Sequence, residues 1–189
     1  MSYQIFNPSL KPDFQAMSSS ELETYFTWFV RAIPTRISEL QSLIASTEGI
    51  QYWSPDGTPD SLGPLSIWLC KTVQSRARTP GEIERIGRPS GFKYGVEEWE
   101  LTEESFSFAI DAGIYWSQVL QSQHPSLQWT QILTDKSLAD FGQPVLVKFK
   151  SGPLNPVRVL IAMAYGFARG TRSGNRLLEV HDFWSSRAI

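Results

Sequence analysis

At 189 residues the chain has the length of one domain, and a composition of 41% hydrophobic and 13% aromatic residues, seven of them Trp, guarantees a buried core. A net charge of −2, from 17 basic and 19 acidic side chains, supplies no global field for nucleic acid or an anionic membrane. A single cysteine, Cys70, excludes an internal disulfide and any multi-cysteine metal site, and no run reaches the roughly 18 apolar residues of a membrane span.

Residues 1–17 read as an extended arm, because Pro8 and Pro12 remove backbone donors and bias their neighbours away from helix. The arm lacks the basic start and apolar run of a secretory signal, so a cytoplasmic protein is expected. Ser18 with Glu21, or Ser20 with Glu23, matches a capping box, and Leu22, Phe26, Phe29 and Ile33 follow on one helical face. Pro34 should end or kink that helix and begin another, whose apolar face is Ile37, Leu40 and Ile44. After the turn chemistry of residues 53–59, Asp60 or Ser61 can cap a helix carrying Leu65, Trp68, Leu69 and Val73.

Across 75–101 the pattern fails at Pro80, Gly81, Gly87, Pro89, Gly91 and Gly95, which predicts a long irregular loop. A helix starts at Thr102, with Glu103 and Glu104 opposing its positive end and Phe106, Ile110, Gly113, Trp116 and Leu120 along one face. Strands are predicted near 127–133 and 144–149, paired antiparallel, with Val145, Val147 and Phe149 on one face. Asn155-Pro156 is a helix start before Val159, Met163 and Phe167, and a short helix with Leu177, Val180 and Trp184 closes the chain. The expected fold is therefore α+β, a helix-rich single domain over 1–189 with a small antiparallel sheet.

Chemistry-bearing residues are sparse. Cys70 with His124 or His181 offers a thiolate pair, but Cys70 follows Trp68-Leu69 in an apolar stretch where cysteine acts as a small hydrophobe. Two histidines 57 positions apart define no metal site, and neither a metal nor another cofactor is expected. Asp111 lies between Ile110 and Ala112, where a carboxylate is either a general base raised by burial or a buried structural group bonded to a loop. Arg169 and Arg172 in the Arg169–Gly174 loop can hold an anion, although no Gly-Lys-Ser/Thr element makes it a phosphate loop.

Charge is unevenly spread. Residues 1–147 carry 10 basic and 17 acidic side chains, and residues 148–189 carry 7 and 2. Arg76, Arg78, Arg85, Arg88 and Lys93 precede the acidic run Glu97, Glu98, Glu100, Glu103 and Glu104. Adjacent carboxylates do not provide the fixed separation across a cleft that glycoside hydrolysis needs, whereas a charge-rich loop suits docking. Arg85, Arg88, Glu97, Glu98 and Glu100 are taken as the partner-binding residues.

Two groups of segments, Tyr25-Phe26-Thr27-Trp28-Phe29 with Ile33-Pro34-Thr35-Arg36-Ile37, and Asp111-Ala112-Gly113-Ile114-Tyr115 followed by Trp129 and Pro144, resemble small uncharacterised bacterial cytosolic proteins, some of them immunity-like. The resemblance implies a non-enzymatic module that binds another protein, and it carries no site residues across. Two alternatives stand beside it. One is a hydrolase or transferase with a pocket assembled from Asp111, His181, Arg169 and Arg172, and the other is a homodimer joined through surplus aromatics such as Trp53 or Trp99. Neither nucleic acid nor membrane is expected as a partner.

Overall fold

A computed structural model of the chain describes residues 3–6, 12–90 and 97–189, the side chains of 87–90 excepted. Pro8 of the expected arm, Gly91, Lys93 and Gly95 of the expected loop, and the side chains of Arg88 and Pro89 lie outside the described residues.

Helix α1 spans Ser19–Ala45 without interruption. Ser18 caps it: its hydroxyl accepts from the Glu21 amide at 3.3 Å while the Glu21 carboxylate accepts from the Ser18 amide at 2.8 Å. Pro34 lies inside this helix and does not end it. An interior proline costs about 3 kcal/mol, but Phe29 and Ile33 before it and Leu40 and Ile44 after it are all buried, so packing on both sides of the proline holds one continuous helix together. A short 3₁₀ turn, Pro59–Ser61, leads into α2, Leu62–Thr72. Ser61 makes no side-chain capping bond there; its hydroxyl contacts the Thr58 carbonyl and the Tyr115 hydroxyl, each at 2.6 Å.

The described residues of the stretch predicted as an irregular loop form instead a strand, a helix and a strand. β1, Ser75–Ala77, pairs antiparallel with β2, Trp99–Leu101, and α3, Pro80–Ser90, lies between them. Thr79 and Glu82 form a second capping box, with bonds of 3.3 and 2.8 Å. Pro80, which reads as a breaker, occupies the first helical position, where its missing N–H has no partner to lose.

α4, Glu103–Gln123, is the axis of the fold. Thr102 caps it by accepting the Ser105 amide at 3.2 Å, and 14 of its 21 residues are buried, well beyond one amphipathic stripe. α1, α2, α5 (Pro156–Ala168) and α6 (Arg176–Ser185) all pack against it, α5 most extensively. Asn155 caps α5 by accepting the Arg158 amide at 2.9 Å, as its Asn-Pro start implied. At the α4–α5 crossing, a β-carbon on Gly113 would stand 2.8 Å from the Val157 Cα and 2.9 Å from the Pro156 carbonyl oxygen, so only glycine fits.

β3, Gln128–Gln131, and β4, Pro144–Val147, form the second antiparallel pair, with Trp129 opposite Leu146. Val145 and Leu146 are both fully buried, so β4 is covered on two faces and lacks the alternation its sequence suggested. The architecture is a helix-rich α+β fold with two small antiparallel sheets. Among the described residues no helix is long and apolar enough to cross a membrane.

Candidate functional site

The β1–α3–β2 unit gathers the charged side chains. Its strand register sets Arg76 opposite Glu100, a cross-strand pair of opposite charge. Arg76 forms ion pairs with Glu100 and, at 2.8 Å, with Glu82, while the Arg78 Nε lies 3.3 Å from the second Glu100 oxygen. The Arg78 guanidinium also donates to the Glu97 carbonyl at 2.9 Å, and its amide donates to the Glu98 carbonyl at 2.7 Å. Arg76, with the Thr79 amide bond, holds the Glu82 carboxyl down at about 2, and the same carboxylates raise Arg76 above its ordinary value.

Arg169, at the end of α5, reaches across to pair with Glu97 and stacks over the Trp99 ring at 5.3 Å. Its hydrogen bond lowers the Glu97 carboxyl and is returned as a raised Arg169. The loop read as an anion holder thus has one of its two arginines bound to the chain's own carboxylate. Arg172 lies with its side chain over Gly166 and makes no ion pair among the described residues. Part of the charge asymmetry along the chain is satisfied internally in this way, and Arg158 does the same with Asp140 at 3.1 Å.

A polar cleft of ≈ 380 Å³ opens beside this ladder, lined among others by Arg76, Glu82, Arg85, Glu103, Phe106 and Tyr165. Of the five residues assigned to partner binding, Glu97 and Glu100 belong to the ion-pair ladder, Arg85 lines the cleft, Glu98 is exposed, and the Arg88 side chain is outside the described residues. Arg85, Glu98 and Glu104 make no ion pair among the described residues and are exposed. The pairing of Arg76 and Arg78 with Glu98-Trp99-Glu100 was open to sequence reasoning as two short segments of alternating charge, but the intervening glycines and prolines hid it.

The residues of the alternative pocket have separate partners. Asp111 is fully buried and binds Arg36 in two-point fashion, Nε to Oδ1 at 2.8 Å and Nη2 to Oδ2 at 2.6 Å, while the Tyr3 hydroxyl donates to the same carboxylate. Arg36 also donates to the Gln4 carbonyl at 2.7 Å, and the Ser107 hydroxyl accepts the Phe6 amide at 2.7 Å. This network fastens residues 3–6 to α1 and α4. Burial pushes the Asp111 carboxyl up to about 6 against the lowering exerted by Arg36 and Tyr3. Burial likewise raises the Tyr3 phenol, and bonding to Asp111 holds Arg36 above its ordinary value despite its own burial.

His181 is buried on α6, its Nδ1 accepting the Trp116 indole N–H at 3.3 Å, and burial lowers its pKa. No hydrogen bond or ion pair among the described residues joins any two of Asp111, His181, Arg169 and Arg172. His124 Nε2 contacts the Ser185 hydroxyl at 2.8 Å, and Cys70 packs half-buried against the main core. Trp53, offered as a loop aromatic for self-association, is buried against Tyr115 with ring centroids 5.3 Å apart, and Trp99 is half covered by Tyr165 and Arg169. Among the described residues no three His, Cys, Asp or Glu side chains converge.

Arg36, Tyr3 and Ser107 were missed at the level of sequence. The available signal was an arginine at a buried-stripe position, three residues after Ile33 and four before Leu40. No protein-family model matches the chain, and no curated protein or solved structure matches it at a significant level.

Proposed function

We propose that the chain is a non-enzymatic, cytoplasmic, protein-binding module of the immunity type, which docks a basic surface of another protein on its β1–α3–β2 face. The observation that carries this reading is the ion-pair ladder. Arg76, Arg78 and Arg169 are tied to Glu82, Glu97 and Glu100, so the backbone of this face is held in place before any partner arrives. Preorganisation of this kind lowers the ordering cost of association. The exposed remainder includes Glu98, Glu103 and Glu104, and Glu103 lines the polar cleft together with Phe106 and Tyr165.

The test separates docking charges from structural ones. Tagged wild-type chain and a Glu98→Lys/Glu103→Lys/Glu104→Lys variant are compared by affinity purification from the parent cells, with unfolding curves run in parallel. The expected result is a captured protein whose affinity falls at least tenfold in the variant, weakens with salt, and whose growth-arresting effect the wild-type chain relieves. Capture unchanged by reversing these three charges would remove the face from the interface. Glu97 and Glu100 are unsuitable for this purpose, because their reversal would break the ladder itself.

A further inference from the structure

Trp28 stands on the outer side of α1, 45% exposed. A groove of ≈ 450 Å³ runs along one flank of this tryptophan, lined by Ser20, Glu23, Thr24, Thr27 and Arg31. On its other flank the ring meets Tyr25 and Phe6, with centroids 5.5 and 5.3 Å away, which holds Trp28 in place from the side that faces the arm. The exposed side is thus a fixed aromatic beside a shallow channel of short side chains.

The helical spacing gives that channel a symmetry. Glu23, Thr27 and Arg31 form one i, i+4 ridge, and Ser20, Thr24 and Trp28 form the neighbouring one. Glu23 and Arg31 stand four residues to either side of Thr27, about 6 Å along the axis in each direction. Both are exposed, and neither makes an ion pair among the described residues. A segment with an acid at one end, a base at the other and small residues between is complementary to itself when turned end over end.

We propose that this face of α1 is a two-fold interface with a second copy of the chain, the two helices lying antiparallel about an axis near Thr27. Glu23 of each copy then meets Arg31 of the other, twice over, and each Trp28 lies across Thr24 of its partner. Ser20, Thr24 and Thr27 let the helix backbones approach closely. An isologous contact of this kind closes on itself and forms a dimer, with no route to a filament. One helix face covers less than the about 800 Å² per partner of a standard interface, so association is expected at micromolar and higher concentrations. The surface shares no lining residue with the cleft of the β1–α3–β2 face, so the proposal does not rest on the docking reading.

The charge pattern provides a test that only this symmetry passes. Glu23→Arg alone places Arg against Arg at both contacts, and Arg31→Glu alone places Glu against Glu. An equimolar mixture of the two variants restores both attractive contacts in the mixed dimer. Sedimentation velocity from about 1 to 500 μM, a range centred on such weak interfaces, is expected to show a concentration-dependent wild-type dimer, a dissociation constant at least tenfold higher for each variant alone, and recovery in the mixture. Circular dichroism of each variant confirms that these exposed substitutions leave the fold intact. A wild-type chain that stays monomeric throughout overturns the proposal, as does a dimer indifferent to either substitution or a mixture that fails to recover.

Discussion

Asp111 has exchanged water for Arg36, Tyr3 and the interior of the fold, and burial is the largest influence on its carboxyl. The folded carboxyl titrates near 6 where its ordinary value is 3.8, so between those limits the folded state binds a proton that the unfolded state has released. Stability contributed by this group is therefore complete below about 4 and is lost as pH rises through about 6. Urea unfolding of wild type and Asp111→Asn between pH 4 and 8 should show the wild type losing ground relative to the variant by on the order of 3 kcal/mol across that window. Arg36→Met, which removes the lowering influence, should carry the midpoint of the change to higher pH. A pH-independent difference between wild type and Asp111→Asn would mean that the pair is ionised throughout.

At the scale of elements, the crossing of α4 and α5 offers the sharpest contrast. Gly113→Ala forces a methyl group against the backbone of Pro156 and Val157, which cannot retreat without unseating the first turn of α5; a loss of about 3 kcal/mol or more is expected. Gly63→Ala, in α2, meets nothing within 4 Å and should be neutral or stabilising by about 0.5–1 kcal/mol. Equal effects from the two substitutions in thermal unfolding would show that the crossing is looser than its geometry. The close approach at Gly113 was legible from its place beside Tyr115 and Trp116, and so were the caps at Ser18, Thr102 and Asn155, because capping is a matter of neighbours in sequence. Two expectations failed for a shared reason, that Pro34 ends its helix and that Pro80 breaks the helical pattern. A proline's local penalty is visible in sequence, whereas the packing that outweighs it at Pro34, and the capping box that accommodates it at Pro80, depend on what surrounds it.

Across the whole molecule, the least legible feature is the fastening of the N-terminal segment. Tyr3 reaches Asp111 over 108 positions and Arg36 reaches Asp111 over 75, and no periodicity encodes such pairings. The candidate surface was legible as a concentration of charge, but its division into structural pairs and free rim residues required the strand register. Tyr3 also lies edge-on to Phe108, centroids 5.2 Å apart, and Phe6 packs on Trp28, so residues 3–6 contribute apolar contact as well as polar bonds. Replacing Tyr3 and Phe6 together by Ala should lower the unfolding free energy by about 3 kcal/mol, read from the midpoint in urea at constant slope. An unchanged midpoint would make the segment an appendage of the fold.

The burial of α4 on nearly all sides also bears on how the chain is made. Synthesis releases α1, α2 and α4 in that order, but α5, the most extensive neighbour of α4, is complete only when Ala168 has emerged. At about 5–20 residues per second, the side of α4 that α5 will cover, around Gly113, waits uncovered for about 2–9 s between the emergence of Gln123 and that of Ala168 from the ribosome. A ribosome stalled in that interval would carry a nascent chain whose apolar α4 has α1 and α2 to pack on but lacks its most extensive neighbour. The vulnerable interval in the making of this fold therefore lies between the emergence of α4 and that of α5, before the helix that begins at Pro156 can close over the one that begins at Glu103.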